Sequence, residues 1–219
     1  MRYNFALNSV FVTNHVISMT CSFQPRRQLY LCSNGALMLK INFCHQCGEP
    51  TSSLQPEGED RLRDVCTSCG FIQYLNPRVV VGTLPMCGSK VLLCKRAIEP
   101  RRGYWTLPAG YLECGETAQQ GARRESLEEA GITLAELSLY AVYDIPHINQ
   151  MYLFYRGLMS SAEFSAGHES LEVALFEEDE IPWDDIAFQA IGHLLRTYFE
   201  HRKTGEYPLV EHNFPTPEQ

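Results

Sequence analysis

From position 78 onward, runs of apolar residues alternate with short polar and turn-forming stretches. RVVVGTLP (78–85) and SKVLLCKRA (89–97) read as two strands joined by a turn at Cys87-Gly88-Ser89, and YWTLPAG (104–110) as a third. LSLYAVYDI (137–145) and MYLFYRGLM (151–159), rich in aliphatic and aromatic residues, read as two more, and LEVALFE (171–177) as another. The period changes in two places. In residues 186–201, Ile186, Phe188, Ile191, Leu194, Leu195 and Phe199 fall near helical spacing, so a packing helix is expected. Between Thr117 and Gly131, Ala118, Ala122, Ser126 and Ala130 recur every four residues, a ridge of small side chains that would let a second helix lie close against a sheet. Thr117 with Gln120 resembles a capping box, and Gly131 sits where a left-handed C-terminal cap is wanted. Residues 204–219, with Pro208, Pro215 and Pro217, read as a flexible tail.

The small-residue helix carries charge on its other face. Glu125, Glu128 and Glu129 stand at i, i+3 and i+4, so the spacing predicts that they converge. Three carboxylates held this close raise each other's pKa unless something positive neutralises them, and a hard divalent cation, Mg2+ or Mn2+, is the usual partner. Many Glu-rich helix faces are only solvated charge. Here Gly110, Glu116, Arg124, Glu125, Glu128, Glu129 and Gly131 stand at the fixed offsets G-x5-E-x7-R-E-U-x-E-E-x-G-U, with Ser126 in place of the apolar residue U, and that whole pattern favours the metal.

Nine cysteines raise the question of disulfides, but four stand as Cys44-x2-Cys47 and Cys66-x2-Cys69 with eighteen residues between the pairs. That is the spacing of a structural Zn2+ site of four thiolates. Gly48 and Gly70, each following the second cysteine of a pair, suit the tight turns such a site needs. Cys21, Cys32, Cys87, Cys94 and Cys114 show no pairing pattern, which together with the metal spacing implies a reducing compartment. His45, between two ligands, is a bystander, and His168 is the one histidine kept in view for a substrate site.

A chain of 219 residues, 45% hydrophobic, can bury one ordinary core beside a small accessory module. The net charge of −8 argues against tight non-specific binding of nucleic acid, which depends on cationic side chains, and no apolar run reaches the roughly 18 residues of a membrane span. Residues 1–40 differ in kind: the first acidic residue is Glu49, and the segment before it carries Arg2, Arg26, Arg27 and Lys40 among Ser, Thr and Asn. A disordered targeting peptide, an over-long reading frame with the start at Met38, and an ordered element all remain open, so the location is cytoplasmic, or an organelle if the segment is a transit peptide.

The seven-residue pattern is the signature of the Nudix hydrolases, and the sequence is similar to that family over about residues 41–203, Ser126 being the departure from it. Together with NPRVVVG, LLCKR, WTLPAGYLE and EIPWD, the cysteine pairs make it resemble the zinc-ribbon members of bacteria and plants regarded as FAD and ADP-ribose pyrophosphatases. The resemblance implies an α+β fold, an α/β/α sandwich with a mixed sheet at 77–203, preceded by a small ribbon at 41–76. It implies hydrolysis of the pyrophosphate in a nucleoside diphosphate derivative, FAD or ADP-ribose, with release of AMP. Glu125, Glu128 and Glu129 would be metal ligands, joined by the backbone carbonyl of Gly110 or Ala109, and Arg124 and Glu116 the pair that stiffens helix and loop. Glu169 or Glu172 would supply a base or further ligand, and Pro146, fifteen residues after Gly131, lies near a proline of the ADP-ribose enzymes. The SQPWPFP segment of the NADH pyrophosphatases is missing, which leaves NADH as the alternative substrate. A ribbon that binds RNA or protein beside a non-catalytic Nudix scaffold is the alternative of another class. The expected partners are a small nucleotide and at most a second copy of the chain in a homodimer, with no membrane.

Overall fold

The computed structural model describes residues 29–31 and 37–215. Most of the expected 1–40 extension, and the tail from 216, lie outside the described residues. Strands β1 (Leu29–Leu31) and β2 (Leu37–Leu39) form an antiparallel pair, and β3 (Thr51–Leu54), β4 (Arg63–Cys66) and β5 (Ile72–Gln73) an antiparallel three-stranded sheet.

The larger sheet is built from β6 (Arg78–Cys87), β7 (Lys90–Arg96), β8 (Trp105–Thr106), β9 (Ala109–Tyr111), β10 (Leu134–Ile145), β11 (Gln150–Met159), β12 (Ser170–Phe176) and β13 (Val210–Asn213). Its order is β12-β7-β6-β11-β10-β13, with β8 added to β7 and β9 to β6; β6–β11 and β10–β13 are parallel, so the sheet is mixed as expected. Helices α1 (Ala118–Ala130) and α2 (Gln189–Thr204) cover its two faces. The two-residue period of β7 shows how: Val91 and Leu93 join Leu194, Leu195 and Phe199 of α2, whereas Leu92 and Cys94 join Ala130 and Ile132 at the end of α1.

Three elements differ from expectation. YWTLPAG is not one strand, because Pro108 has no N–H for the ladder: the chain breaks at Leu107-Pro108, Trp105–Thr106 pairs with β7 and Ala109–Tyr111 with β6. The Pro108 carbonyl instead accepts Thr83 N–H at 3.1 Å. The packing helix begins and ends three residues later than the periodicity predicts. Ile186 and Phe188 reach the core from an extended lead-in, where Ala187 N–H donates to Trp105 O at 2.8 Å, and Gly205, at φ 74°, closes the helix.

The third correction concerns the expected tail at 204–219. Val210–Asn213 pairs in parallel with Ala141–Asp144, and buried Phe214 donates its N–H to Asp144 O at 2.8 Å. The prolines at 208 and 215 bracket this edge strand rather than mark disorder. Its docking is aromatic: His212 stacks on His193 of α2 with ring centroids 4.4 Å apart, and Tyr143 OH meets His193 Nδ1 at 2.9 Å. Among the described residues, no helix is long and apolar enough to cross a membrane.

Burial, and secondarily the ring of His212, hold His193 below the ordinary histidine pKa. The unfolded chain takes up this proton near pH 6.5 and the folded chain only at lower pH, so the linked stability is present above about 6.5 and falls as pH falls below it. Urea unfolding at pH 7 and pH 5.5 should show a larger loss of stability for the native sequence than for His193→Gln; equal losses would contradict the docking role.

Candidate active site and thiolate cluster

The spacing that places α1 against the sheet also determines what its charged face meets. Thr117 and Gln120 exchange hydrogen bonds in a complete capping box, and Gly131, at φ 65°, donates its N–H to Leu127 O, so the helix has the expected bounds. Ala122, Ser126 and Ala130 are fully buried, whereas Ala118 is only half-buried. Ser126 lies away from the carboxylates and bonds Thr83 Oγ1 at 2.7 Å and Ala122 O at 2.8 Å, so the serine in the apolar position of the pattern is a satisfied packing residue.

Glu125 and Glu129 are also buried, at 9% and 7% exposure. They press on β9: Ala109 N–H donates to Glu129 Oε2 at 3.1 Å, and a Cβ at Gly110 would overlap the Glu125 carboxylate. A side chain at 110 would have to push that carboxylate aside, so glycine lets it lie directly against the strand. Burial pushes Glu129 up to about pKa 8, against the pull of the Ala109 amide and with help from the charges of Glu125 and Glu169. Burial also raises Glu125, with Arg124 opposing it and Glu128 and Glu169 adding to it. A pair of buried, hard-oxygen donors in mutual repulsion suits a hard divalent cation.

Arg124 stands at the centre of this face. Its Nε and Nη2 make a two-pronged contact with Glu116 at 3.1 and 2.7 Å, so the pair expected between helix and loop is present. Nη2 also donates to Tyr111 O at 3.1 Å, and Nη1 to Glu125 Oε1 at 2.7 Å and Glu128 Oε2 at 3.2 Å. The expected convergence of the three glutamates is thus true of their helix positions but not of their carboxylates. The Glu128 side chain is 57% exposed, and the Arg124 guanidinium bridges it to Glu125.

Of the loop residues, Glu169 is exposed but near enough for its charge to act on both Glu125 and Glu129, and its carbonyl accepts Ala97 N–H at 2.8 Å. Glu172 is instead drawn into a pair with Lys95 at 3.6 Å, and His168 is exposed. Pro146 opens an exposed 3-10 turn, Pro146–Ile148, between β10 and β11. Near that turn the sequence reading missed a polar group beside Gly110. Gln150 Nε2 donates to Tyr111 OH at 2.9 Å, and the Arg78 guanidinium lies over the Tyr111 ring at 4.8 Å. Only the parallel register of Gln150 with Arg78 brings these residues together.

In the ribbon, the sulfurs of Cys44, Cys47, Cys66 and Cys69 lie within 4.8 Å of one another, the one such group of metal-ligand side chains among the described residues. Neighbouring sulfurs are 3.4 to 3.7 Å apart. A tetrahedron with Zn–S bonds of about 2.3 Å has edges of about 3.8 Å, so the donor set fits zinc. The amides of Cys69 and Ser68 point at Cys66 Sγ, each at 3.4 Å, and lower its pKa to about 6, while Gly48 and Gly70 turn the chain at φ 80° and 73°.

Residues 76–198 match the family model of the NUDIX domain, and residues 42–75 the zinc-ribbon model described as Nudix N-terminal. The NAD-capped RNA hydrolase NudC of Haemophilus influenzae (strain PittGG) is 31% identical over 174 residues, 76% of this chain and 58% of that protein, so the chain spans under two thirds of that relative's length. An ADP-ribose pyrophosphatase of Methanocaldococcus jannaschii is 33% identical over 115 residues, 50% of this chain and 67% of the relative. The crystal structure of a NUDIX hydrolase from Nitrosomonas europaea, 49% identical, superposes with a TM-score of 0.75 over 80% of this chain and 100% of the other.

Elemental analysis of protein purified without added metal should find one zinc per chain. Cys44→Ser and Cys66→Ser should each lose it and unfold the ribbon, since zinc coordination of this type contributes roughly 10 kcal/mol that is coupled to folding. Zinc content unchanged by either substitution would contradict the assignment.

Proposed function

The chain belongs to the Nudix family of hydrolases that act on nucleotide pyrophosphates, and from that footing we propose that its substrate is ADP-ribose or FAD, cleaved to AMP and ribose 5-phosphate or FMN. One observation carries the proposed location of the chemistry: Glu125 and Glu129 are buried against the backbone of Ala109 and Gly110. We assign ligation of Mg2+ or Mn2+ to Glu125, Glu128 and Glu129, with the Gly110 carbonyl as a further ligand. Such an ion would supply charge neutralisation at the pyrophosphate oxygens and make water a stronger nucleophile.

The remaining work falls to the chain's own groups. Arg124 holds Glu125 and Glu128 in place from a base anchored on Glu116 and the Tyr111 carbonyl, so the helix cannot turn its carboxylates away from β9. The Ala109 amide orients Glu129. In the reaction, a water oxygen bonds to one phosphorus and the bridging P–O bond breaks, its electron pair leaving with the other phosphate. Glu169 is the side chain we assign to take the proton that water gives up.

The ADP-ribose pyrophosphatase relative and the missing SQPWPFP segment favour the ADP-ribose or FAD assignment. The NAD-capped RNA hydrolases among the relatives favour a second reading, an NAD-type dinucleotide. The net charge of −8 favours a small nucleotide over long RNA in either case. The ribbon at 41–76 is assigned a structural role beside a catalytic domain at 77–203.

Glu125→Gln and Glu129→Gln should each lower turnover of ADP-ribose in excess Mg2+ by about two orders of magnitude or more, with folding retained, because each removes a charged ligand. Near-normal activity in either variant would move the catalytic site elsewhere. With products identified for each substrate, kcat/KM for ADP-ribose or FAD should exceed that for NADH by about tenfold, a margin of about 1.4 kcal/mol that one or two contacts can supply. The reverse order would establish the NAD-type reading and leave the hydrolase assignment intact.

A further inference from the structure

The segment between β11 and β12, residues 160–169, is pinned along its length to the end of the catalytic helix. A helix leaves its last four carbonyls without partners inside the helix. In α1 the first of these, Leu127 O, is taken by the cap at Gly131, but Glu129 O and Ala130 O accept hydrogen bonds from the segment: Gly167 N–H at 3.0 Å and Ser165 N–H at 2.9 Å. Ser160 N–H extends the seam by donating to Thr133 O at 2.9 Å. Beyond the seam, Ser170 N–H returns to Gly167 O at 3.1 Å and Glu169 O is held by Ala97 N–H at 2.8 Å, so the backbone of Glu169 is fixed between α1 and the end of β7.

The approach at Gly167 is closer than any side chain permits. A Cβ there would overlap the Glu128 carbonyl oxygen and come within 2.8 Å of the Glu128 carbonyl carbon and 3.2 Å of Glu129 Cα. The obstruction is backbone, which cannot swing aside as a flexible side-chain tip would. Gly167 shows no positive φ, so the glycine serves contact rather than turn geometry.

We propose that Gly167 is the positioning residue of the site, bringing the strap onto the Glu128–Glu129 peptide and so fixing the backbone from which Glu169, two residues later, reaches toward the carboxylate face of α1. The inference rests on the assignment of Glu169 to the reaction. Any larger residue at 167 lifts the strap, breaks its bond to Glu129 O and displaces Glu169 while leaving the side chains assigned to the metal on their helix. The effect belongs to kcat rather than to KM, because the strap orders a reacting group and not the bound nucleotide.

The test compares Gly167→Ala, Glu169→Gln and the double variant on ADP-ribose with Mg2+. Each single variant should lower kcat at least about tenfold with KM within about twofold, and the double should be no worse than about threefold below the slower single, since two changes acting through one group do not multiply. A Gly167→Ala enzyme as fast as the native one, or losses that multiply in the double variant, would overturn the positioning role while leaving Glu169 in the reaction. A Glu169→Gln enzyme with native kcat would remove Glu169 from the mechanism and the inference with it. Loss of activity in Glu125→Gln and Glu129→Gln still reports separately on the hydrolase site. Should Gly167→Ala fail to fold, amide hydrogen exchange of the unaltered, metal-free protein decides: Ser165 and Gly167 amides should exchange as slowly as those of the last turn of α1, and fast exchange at both would overturn the proposal.

Discussion

Two carboxylates buried one helical turn apart, Glu125 and Glu129, are the constraint around which the catalytic half of the molecule is arranged. Burial alone favours their neutral forms, and the charge of Glu125 adds to the rise at Glu129. Their surroundings are what such a pair requires. A glycine strand lets the backbone close on one carboxylate, a backbone amide meets the other, and Arg124 reaches across to the loop that precedes the helix. The planar guanidinium is suited to this task because it serves Glu116 with two donors while a third reaches Glu125; a lysine offers one point charge and no fork. The small residues on α1 belong to the same arrangement, since only a helix seated this low against β6 can bury acids at its margin.

Much of this was readable in the sequence, for reasons that differ by element. The helix announced both ends because capping is local chemistry, confined to Thr117, Gln120 and Gly131. The four cysteines announced their own convergence because their spacing is itself the geometry of a four-sulfur site. The mixed sheet and its two covering helices followed from apolar periodicity joined to the family resemblance. What stayed hidden depends on partners distant along the chain. Nothing local in residues 210–213 says that β10 has a free edge, and nothing local in Pro108 says that Thr83 will need its carbonyl. Helix spacing placed three glutamates on one face but could not tell that the Arg124 guanidinium would stand between Glu128 and Glu125. Gly167 escaped notice because its reason is a contact with a peptide bond some forty residues earlier in the chain.

The ribbon and the catalytic domain are stable for unlike reasons. In the catalytic domain large apolar side chains such as Leu194, Phe199, Tyr140 and Phe154 are fully enclosed. In the ribbon, Phe43, Leu62 and Tyr74 are exposed, and the buried apolar side chains are Cys44 and Cys66 themselves. A module of that size has too little interior for a hydrophobic core, and a cluster of four thiols with the geometry of a metal site stands in its place. Its surface is thereby released from packing duties, which explains how it can display aromatic side chains without losing its shape.

The position of β13 has a consequence in time as well as in space. It pairs with β10, yet β11, β12 and α2 are all synthesised between the two. While the chain emerges, β10 can pair with β11 on one side as a local hairpin, but its other side keeps a row of unmet N–H and C=O groups until β13 arrives. Such an edge is a template for any extended chain nearby. The seal on it is provided by a short segment held by its ladder to β10, the stack of His212 on His193 and the enclosure of Phe214, so the interval before that docking is when a newborn chain is most exposed to pairing with its neighbours.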